Sequence, residues 1–141
     1  MSQETLDLVR SIRADWDRGD FSSAEWAHPE IEYVIADGPS PGKWIGLTGM
    51  AEGFRSIVGA WEGFHVESEE FRELDGERVL VLVHAAGRGK ASGVSLGQMR
   101  SKGAELFHVR GGKVTRLVIY LNRERVFAEL GLSEQDAHAD S

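Results

Sequence analysis

The stretch from Trp44 to Phe64, WIGLTGMAEGFRSIVGAWEGF, constrains this chain more than any other. It reads as a short tryptophan-bearing strand, a tight Gly-Leu-Thr-Gly entry and a helix. Thr48 is placed to accept the first free backbone N–H groups as an N-cap, so the spacing predicts a helix from there to about Trp61. Met50, Phe54, Ile57, Val58 and Trp61 form its buried face. Sheet follows. Asp75-Gly76 and Gly111-Gly112 each separate two strand-like runs and fit two-residue hairpin turns. A helix followed by long hairpins describes helices on the concave side of a curved sheet, with a cavity between the two layers.

Upstream, residues 3 to 18 read as a helix, with Leu8, Ile12 and Trp16 on one stripe and Arg10, Arg13 and Asp17 elsewhere on the wheel. Gly19 and Asp20 suit a helix stop and a new cap, and a second, short helix is expected up to Ala27, ended by His28-Pro29. Ile31, Tyr33 and Ile35 then alternate along a strand that runs into the loop at Asp37. Val79 to Val83 is apolar on both faces, which calls for cover on both sides: helices on one, a second copy of the chain on the other. Arg123 to Leu130 reads as a closing helix stopped by Gly131. The expected fold class is α+β: a cone-shaped, curved, largely antiparallel (mixed) sheet with three N-terminal helices on its concave face and a short C-terminal helix. One domain spans 1–132, with a flexible tail at 133–141.

Composition narrows the function. With 141 residues, 41% apolar and 28% charged, the chain suits one globular domain with a real core. It has no cysteine, which removes disulfides and thiolate metal sites. A net charge of -7 is repelled by phosphate backbones, so no nucleic-acid partner is expected. No run reaches the ~20 apolar residues of a membrane span. The start, MSQETLDLVR, lacks an apolar signal core, and a cytoplasmic location is expected.

The chemistry-bearing candidates are few. Gly87-Arg-Gly-Lys-Ala-Ser-Gly93 lacks phosphate-loop spacing and reads as a hairpin connection. The five histidines show no metal-site spacing, so no metal is expected; His84 and His108 fall in strands that border the hollow. Asp37 shares parity with Ile31, Tyr33 and Ile35, which puts it at the cavity rim, where apolar walls raise a carboxyl's pKa toward that of a useful base. Glu105 alternates with Phe107 and Val109 and becomes a second pocket carboxylate if that face is inward. Glu67, Glu69, Glu70 and Glu73 read as an exposed strand face. Trp16, Tyr33, Trp61, Phe107 and Tyr120 are the aromatic candidates for a wall around a hydrophobic ligand.

Several pieces in order carry a resemblance: Gly19-Asp20 then Trp26 to Tyr33, the Trp44-Ile-Gly-Leu-Thr-Gly49 entry, Gly87-Arg-Gly-Lys-Ala-Ser-Gly93, Phe107-His-Val-Arg-Gly-Gly-Lys-Val114, and Tyr120-Leu-Asn-Arg-Glu124 leading to Ala128-Glu-Leu-Gly-Leu132. Over residues 5 to 132 the chain resembles the nuclear transport factor 2-like superfamily, and within it the SnoaL-like branch. The resemblance implies a cone with a ligand pocket and a homodimer through the outer sheet face. The superfamily includes ketosteroid isomerase, polyketide cyclases and non-catalytic binding proteins, so fold alone does not choose. Asp37 falls where ketosteroid isomerase keeps its general base, and Glu105 roughly where it keeps a protonated acid, but its helix-borne tyrosine is replaced by Ile12. Two functions follow as expectations. One is a cofactor-independent isomerase or cyclase in which Asp37 removes a proton next to a carbonyl and Glu105, His84 or Tyr33 stabilises the enolate. The other is a non-catalytic ligand-binding or dimeric interaction domain.

Overall fold

A computed structural model describes residues 2–18, 20, 23–37, 41–59, 61–89 and 98–131, with side chains other than those of 2, 57–59, 61–65, 85–89 and 98–101. The elements are α1 (Ser2–Asp17), β1 (Ala27–Ile35), β2 (Gly42–Ile45), α2 (Gly46–Gly59), β3 (Trp61–Asp75), β4 (Arg78–Gly89), β5 (Gln98–Arg110), β6 (Lys113–Tyr120) and α3 (Arg123–Leu130). One six-stranded sheet runs in the order β2-β1-β6-β5-β4-β3. Only β1 and β6 are parallel, so the sheet is mixed. Extra residues break the β3–β4 register at three places, between Glu62 and His65, Ser68 and Glu70, and Glu73 and Asp75. Such bulges bend and twist a long strand.

The hairpin at Gly111-Gly112 and the final helix form where the sequence puts them. Both glycines have positive φ, 61° and 77°, as a tight two-residue turn requires. Asn122 caps α3 by accepting from the Glu124 N–H at 3.0 Å, and Gly131 closes it in the left-handed region. The turn expected at Asp75-Gly76 lies one residue later, at Gly76-Glu77; Asp75 ends β3 and accepts from the Glu77 N–H at 2.8 Å.

Three expectations are corrected. Two helices, not three, precede the long strands, because no helix forms among the described residues between 20 and 27. Ala27 is claimed by β1 instead: it pairs with Val114, whose N–H donates to the Trp26 carbonyl at 2.8 Å. Next, α2 begins at Gly46 rather than after Thr48, since Gly46, at φ 82°, turns the chain directly from strand into helix. Finally, the apolar faces of β4 are both covered within the chain. Val79, Val81 and Val83 pack with Val9, Ile12 and Phe107 on the side of α1, whereas Leu80 and Leu82 pack with Val126 and Phe127 of α3. Cover for this strand is therefore supplied by the chain itself.

One glycine of the Trp44–Phe64 stretch, Gly53, has a steric purpose. A Cβ on Gly53 would stand 2.7 Å from the Tyr33 ring and 2.8 Å from that of Trp44. Helix α2 thus lies directly on β1 and β2, and the seating of the Tyr33 ring depends on that closeness. The Gly87–Gly93 segment continues past the described residues at 90; the strands it joins, β4 and β5, are antiparallel neighbours. His138 and the tail also lie outside the described residues.

Candidate active site

Between α1, α2 and the inner face of the sheet lies a cavity of about 460 Å³. That is a ligand-sized space. Trp16, Trp26, Tyr33, Met50, Phe54 and Val66 line much of it. Trp16 and Trp26 meet edge to face, with centroids 5.5 Å apart, and the Trp26 indole donates to the Ser23 carbonyl at 2.9 Å.

The polar end is made by Arg13 and Glu105. Strand β5 alternates Leu106 outward with Glu105 and Phe107 inward, so Glu105 enters the cavity because of strand parity. It is 5% exposed. The Arg13 Nη1 donates to its Oε2 at 3.3 Å; Oε1 stands at the same distance but outside hydrogen-bond geometry, and has no hydrogen-bond partner. Burial pushes the Glu105 carboxyl up; the Arg13 charge opposes this, and Asp17 adds to it.

Arg13 is 1% exposed and uses four of its five N–H groups in hydrogen bonds. Its Nε donates to the Ser68 hydroxyl at 2.8 Å, and its Nη2 to Asp17 at 2.7 Å and to the Val66 carbonyl at 2.9 Å. It also lies over the Trp16 ring at 5.4 Å. One side chain therefore ties α1 to β3 and β5 and holds Glu105 in place. Tyr33, 4% exposed, has its phenol pushed well above the usual value, first by burial and then by the Glu105 charge. Its hydroxyl stays protonated and is available to donate.

The other predicted site residues divide. Trp16 and Tyr33 line the cavity, as does Tyr120 at the end of β6, although the Tyr120 ring packs in the outer cluster. Phe107 is fully buried behind Trp16, 6.1 Å away by centroid, and is core rather than wall. Trp61 starts β3 instead of ending α2, and its side chain lies outside the described residues. Asp37 does not line the cavity. Its carboxylate accepts from the Leu121 N–H at 2.6 Å and the Asn122 N–H at 3.3 Å, because β1 lies parallel to β6 and its end meets the β6–α3 corner. His84 is on the opposite face of the sheet: β4 points Val83 inward, so its neighbour points out, where it meets Glu69 at 2.6 Å. His108 is also outward, by the same alternation after Phe107; burial, then Arg116 and Arg78, holds its pKa down. Among the described residues no group of three histidines or acids could hold a metal, and no helix is long and apolar enough to cross a membrane.

Arg13 is the site residue that sequence reading missed, having been set on the polar side of α1. Its signal was the spacing to its neighbours: it stands four residues after Val9 and four before Asp17, so it borders the apolar stripe and carries its own counter-ion.

The SnoaL-like domain family matches residues 9–117. No functionally curated protein matches the sequence. Among solved structures, TerC, crystallised with polyporic acid, shares 21% identity over 90% of this chain and 97% of its own, with a TM-score of 0.69. A protein with a ketosteroid isomerase-like fold from Catenulispora acidiphila, in complex with trimethylamine, shares 18% over 90% and 94%, at 0.64. An NTF2-like protein of unknown function from Burkholderia pseudomallei shares 16% over 89% and 95%, at 0.69. Likeness at these identities speaks for the fold.

Proposed function

The chain belongs to the SnoaL-like domain family, and on that premise we propose that its cavity takes up a small, hydrophobic carbonyl compound and moves a proton on the carbon next to the carbonyl. Glu105 is the group that carries the proton. The observation behind this is a fully buried carboxyl in an aromatic cavity, with one oxygen left without a hydrogen bond. A carboxyl whose pKa is raised by burial works as a base nearer neutrality, and Arg13 keeps its ionised form within reach. The Tyr33 hydroxyl donates to the carbonyl oxygen as negative charge develops there. The proton returns from Glu105 to the enolate at the same or a conjugated carbon, and no cofactor enters the balance. Asp37, tied to backbone, has no part in it.

The test is deuterium uptake from heavy water at the carbon beside the carbonyl of 1-tetralone, followed by NMR. The protein accelerates uptake, Glu105→Gln slows it by ~10²–10⁴-fold, and Tyr33→Phe by ~10²–10³-fold. Equal rates in the Glu105→Gln variant and the parent remove Glu105 from the chemistry. The second reading is a binding domain without turnover. It is favoured by the engagement of Asp37, which leaves one carboxyl in the cavity wall among the described residues. It predicts quenching of Trp16 and Trp26 fluorescence by ligand, with polyporic acid a first compound to titrate, and no exchange. The proposal also keeps a cytoplasmic setting and a homodimer through the outer sheet face, the latter checked by sedimentation equilibrium.

A further inference from the structure

Helix α2 presents two stripes to the cavity. Met50 and Phe54 form an inner one, half-buried against the core. Leu47, Ala51 and Arg55, at i, i+4 and i+8, form an outer one: all three line the cavity and all three are exposed. The second stripe is therefore the mouth. Leu47 is 41% exposed there, a large apolar side chain left in water at the entrance.

Arg55 completes that stripe with a charge. It makes no ion pair or hydrogen bond among the described residues. The only other cation among the described residues of the cavity wall, Arg13, is spent on four partners inside. The only described acid in the wall is Glu105, already opposite Arg13. Among the described residues that line the cavity, Arg55 is thus the exposed charge at the mouth, although the chain carries a net charge of -7. A cation at a low-dielectric opening attracts an anion and repels a cation.

We infer that the ligand is an amphiphilic anion: an aromatic or polycyclic body that enters between Trp16, Trp26 and Phe54, with a carboxylate or similar acid group left at the mouth against Arg55. This rests on the cavity reading above and adds the charge of the ligand to it. The acid group stays wet, so the cost of desolvating it is avoided, while the apolar body is buried.

The matched probes are 8-anilinonaphthalene-1-sulfonate and N-phenyl-1-naphthylamine, one skeleton with and without an anionic group, titrated by fluorescence. Arg55→Gln weakens binding of the sulfonate by roughly 3- to 10-fold, the scale of one exposed charge pair, and leaves the neutral amine unchanged. Arg55→Lys retains sulfonate binding, and 0.5 M salt erases the difference between parent and Arg55→Gln, following ordinary screening. Sulfonate binding that is equal in parent and Arg55→Gln overturns the inference, and so does a loss that falls equally on both probes. In either case the cavity reading stands. If neither probe is taken up by the parent, the cavity reading fails and this inference with it.

Discussion

Two arginine–glutamate pairs sit on opposite faces of the same sheet, and their glutamates shift in opposite directions. On the inner face, Arg13 meets Glu105; on the outer face, Arg123 meets Glu69 and also donates to the Gly103 carbonyl at 3.2 Å and the Val83 carbonyl at 2.9 Å. Both arginines are buried. The glutamates differ: the Glu105 side chain is 7% exposed and that of Glu69 28%. For Glu69, partial burial pushes its pKa up, but the bonds and charge of Arg123, with His84 and Lys102, more than offset it, and the carboxyl is held below its usual range. For Glu105, burial wins over Arg13. The lesson is that an opposite charge alone does not fix the state of a carboxyl; access to water decides whether pairing or desolvation dominates. The outer pair fastens α3 to β3, and the remaining Arg123 bonds reach β4 and β5. The inner pair leaves one carboxylate oxygen without a hydrogen bond.

The largest break in this comparison is removal of the inner arginine. Arg13→Met strands Glu105 without its cation and is expected to cost about 3–5 kcal/mol in urea unfolding. Arg123→Met leaves Glu69 able to reach water and frees two carbonyls, so its cost is expected at about 1–3 kcal/mol. Equal losses would erase the distinction between the faces. Next is Gly53→Ala, which drives a methyl into the Tyr33 and Trp44 rings; about 1–3 kcal/mol of overpacking outweighs the ~1 kcal/mol gain in helix propensity.

The pH dependence sharpens the comparison further. The Glu105 pKa is raised in the fold, so the stability it contributes is present below the unfolded value of about 4.3 and is lost as pH rises through the folded value. Thermal melts of Glu105→Gln therefore gain on the parent as pH increases across that window. The Glu69 pKa is lowered, so its contribution is present above about 4.3 and is lost as pH falls through the folded value. Glu69→Gln therefore melts below the parent at neutral pH, and the gap closes in acid. The smallest effect is expected from Asp37→Asn: one carboxylate–backbone bond weakens, for about 0.5–1.5 kcal/mol, with deuterium exchange unchanged.

Local chemistry made most of the elements legible. Asn122 and Gly131 bracket α3, Gly111-Gly112 sets a hairpin, and alternation puts Ile31, Tyr33 and Ile35 on one buried face. The short helix before Pro29 was expected from local signals, but a long-range pairing to β6 recruited those residues. The same limit shaped the site. Strand parity found Glu105 and Tyr33, because parity is carried by the chain itself. It failed at Asp37, two residues beyond the regular strand, where the backbone of residues 121 and 122, distant in sequence, captures the carboxylate. It misplaced His84, which was named among the site residues, because a strand apolar on both faces does not say which face is inward. Arg13 was hidden because burial of a charge depends on partners from β3 and β5 that no helical wheel contains.

The most direct test of the inner face is a carbon-detected NMR titration of the Glu105 carboxyl, assigned through the Glu105→Gln variant. The account predicts that it titrates above the ordinary glutamate range, with Glu69 titrating below it in the same sample. A Glu105 midpoint at or under about 4.3 would mean that Arg13 holds it as a permanently ionised structural anion, and the proton-carrying role assigned to it would be wrong.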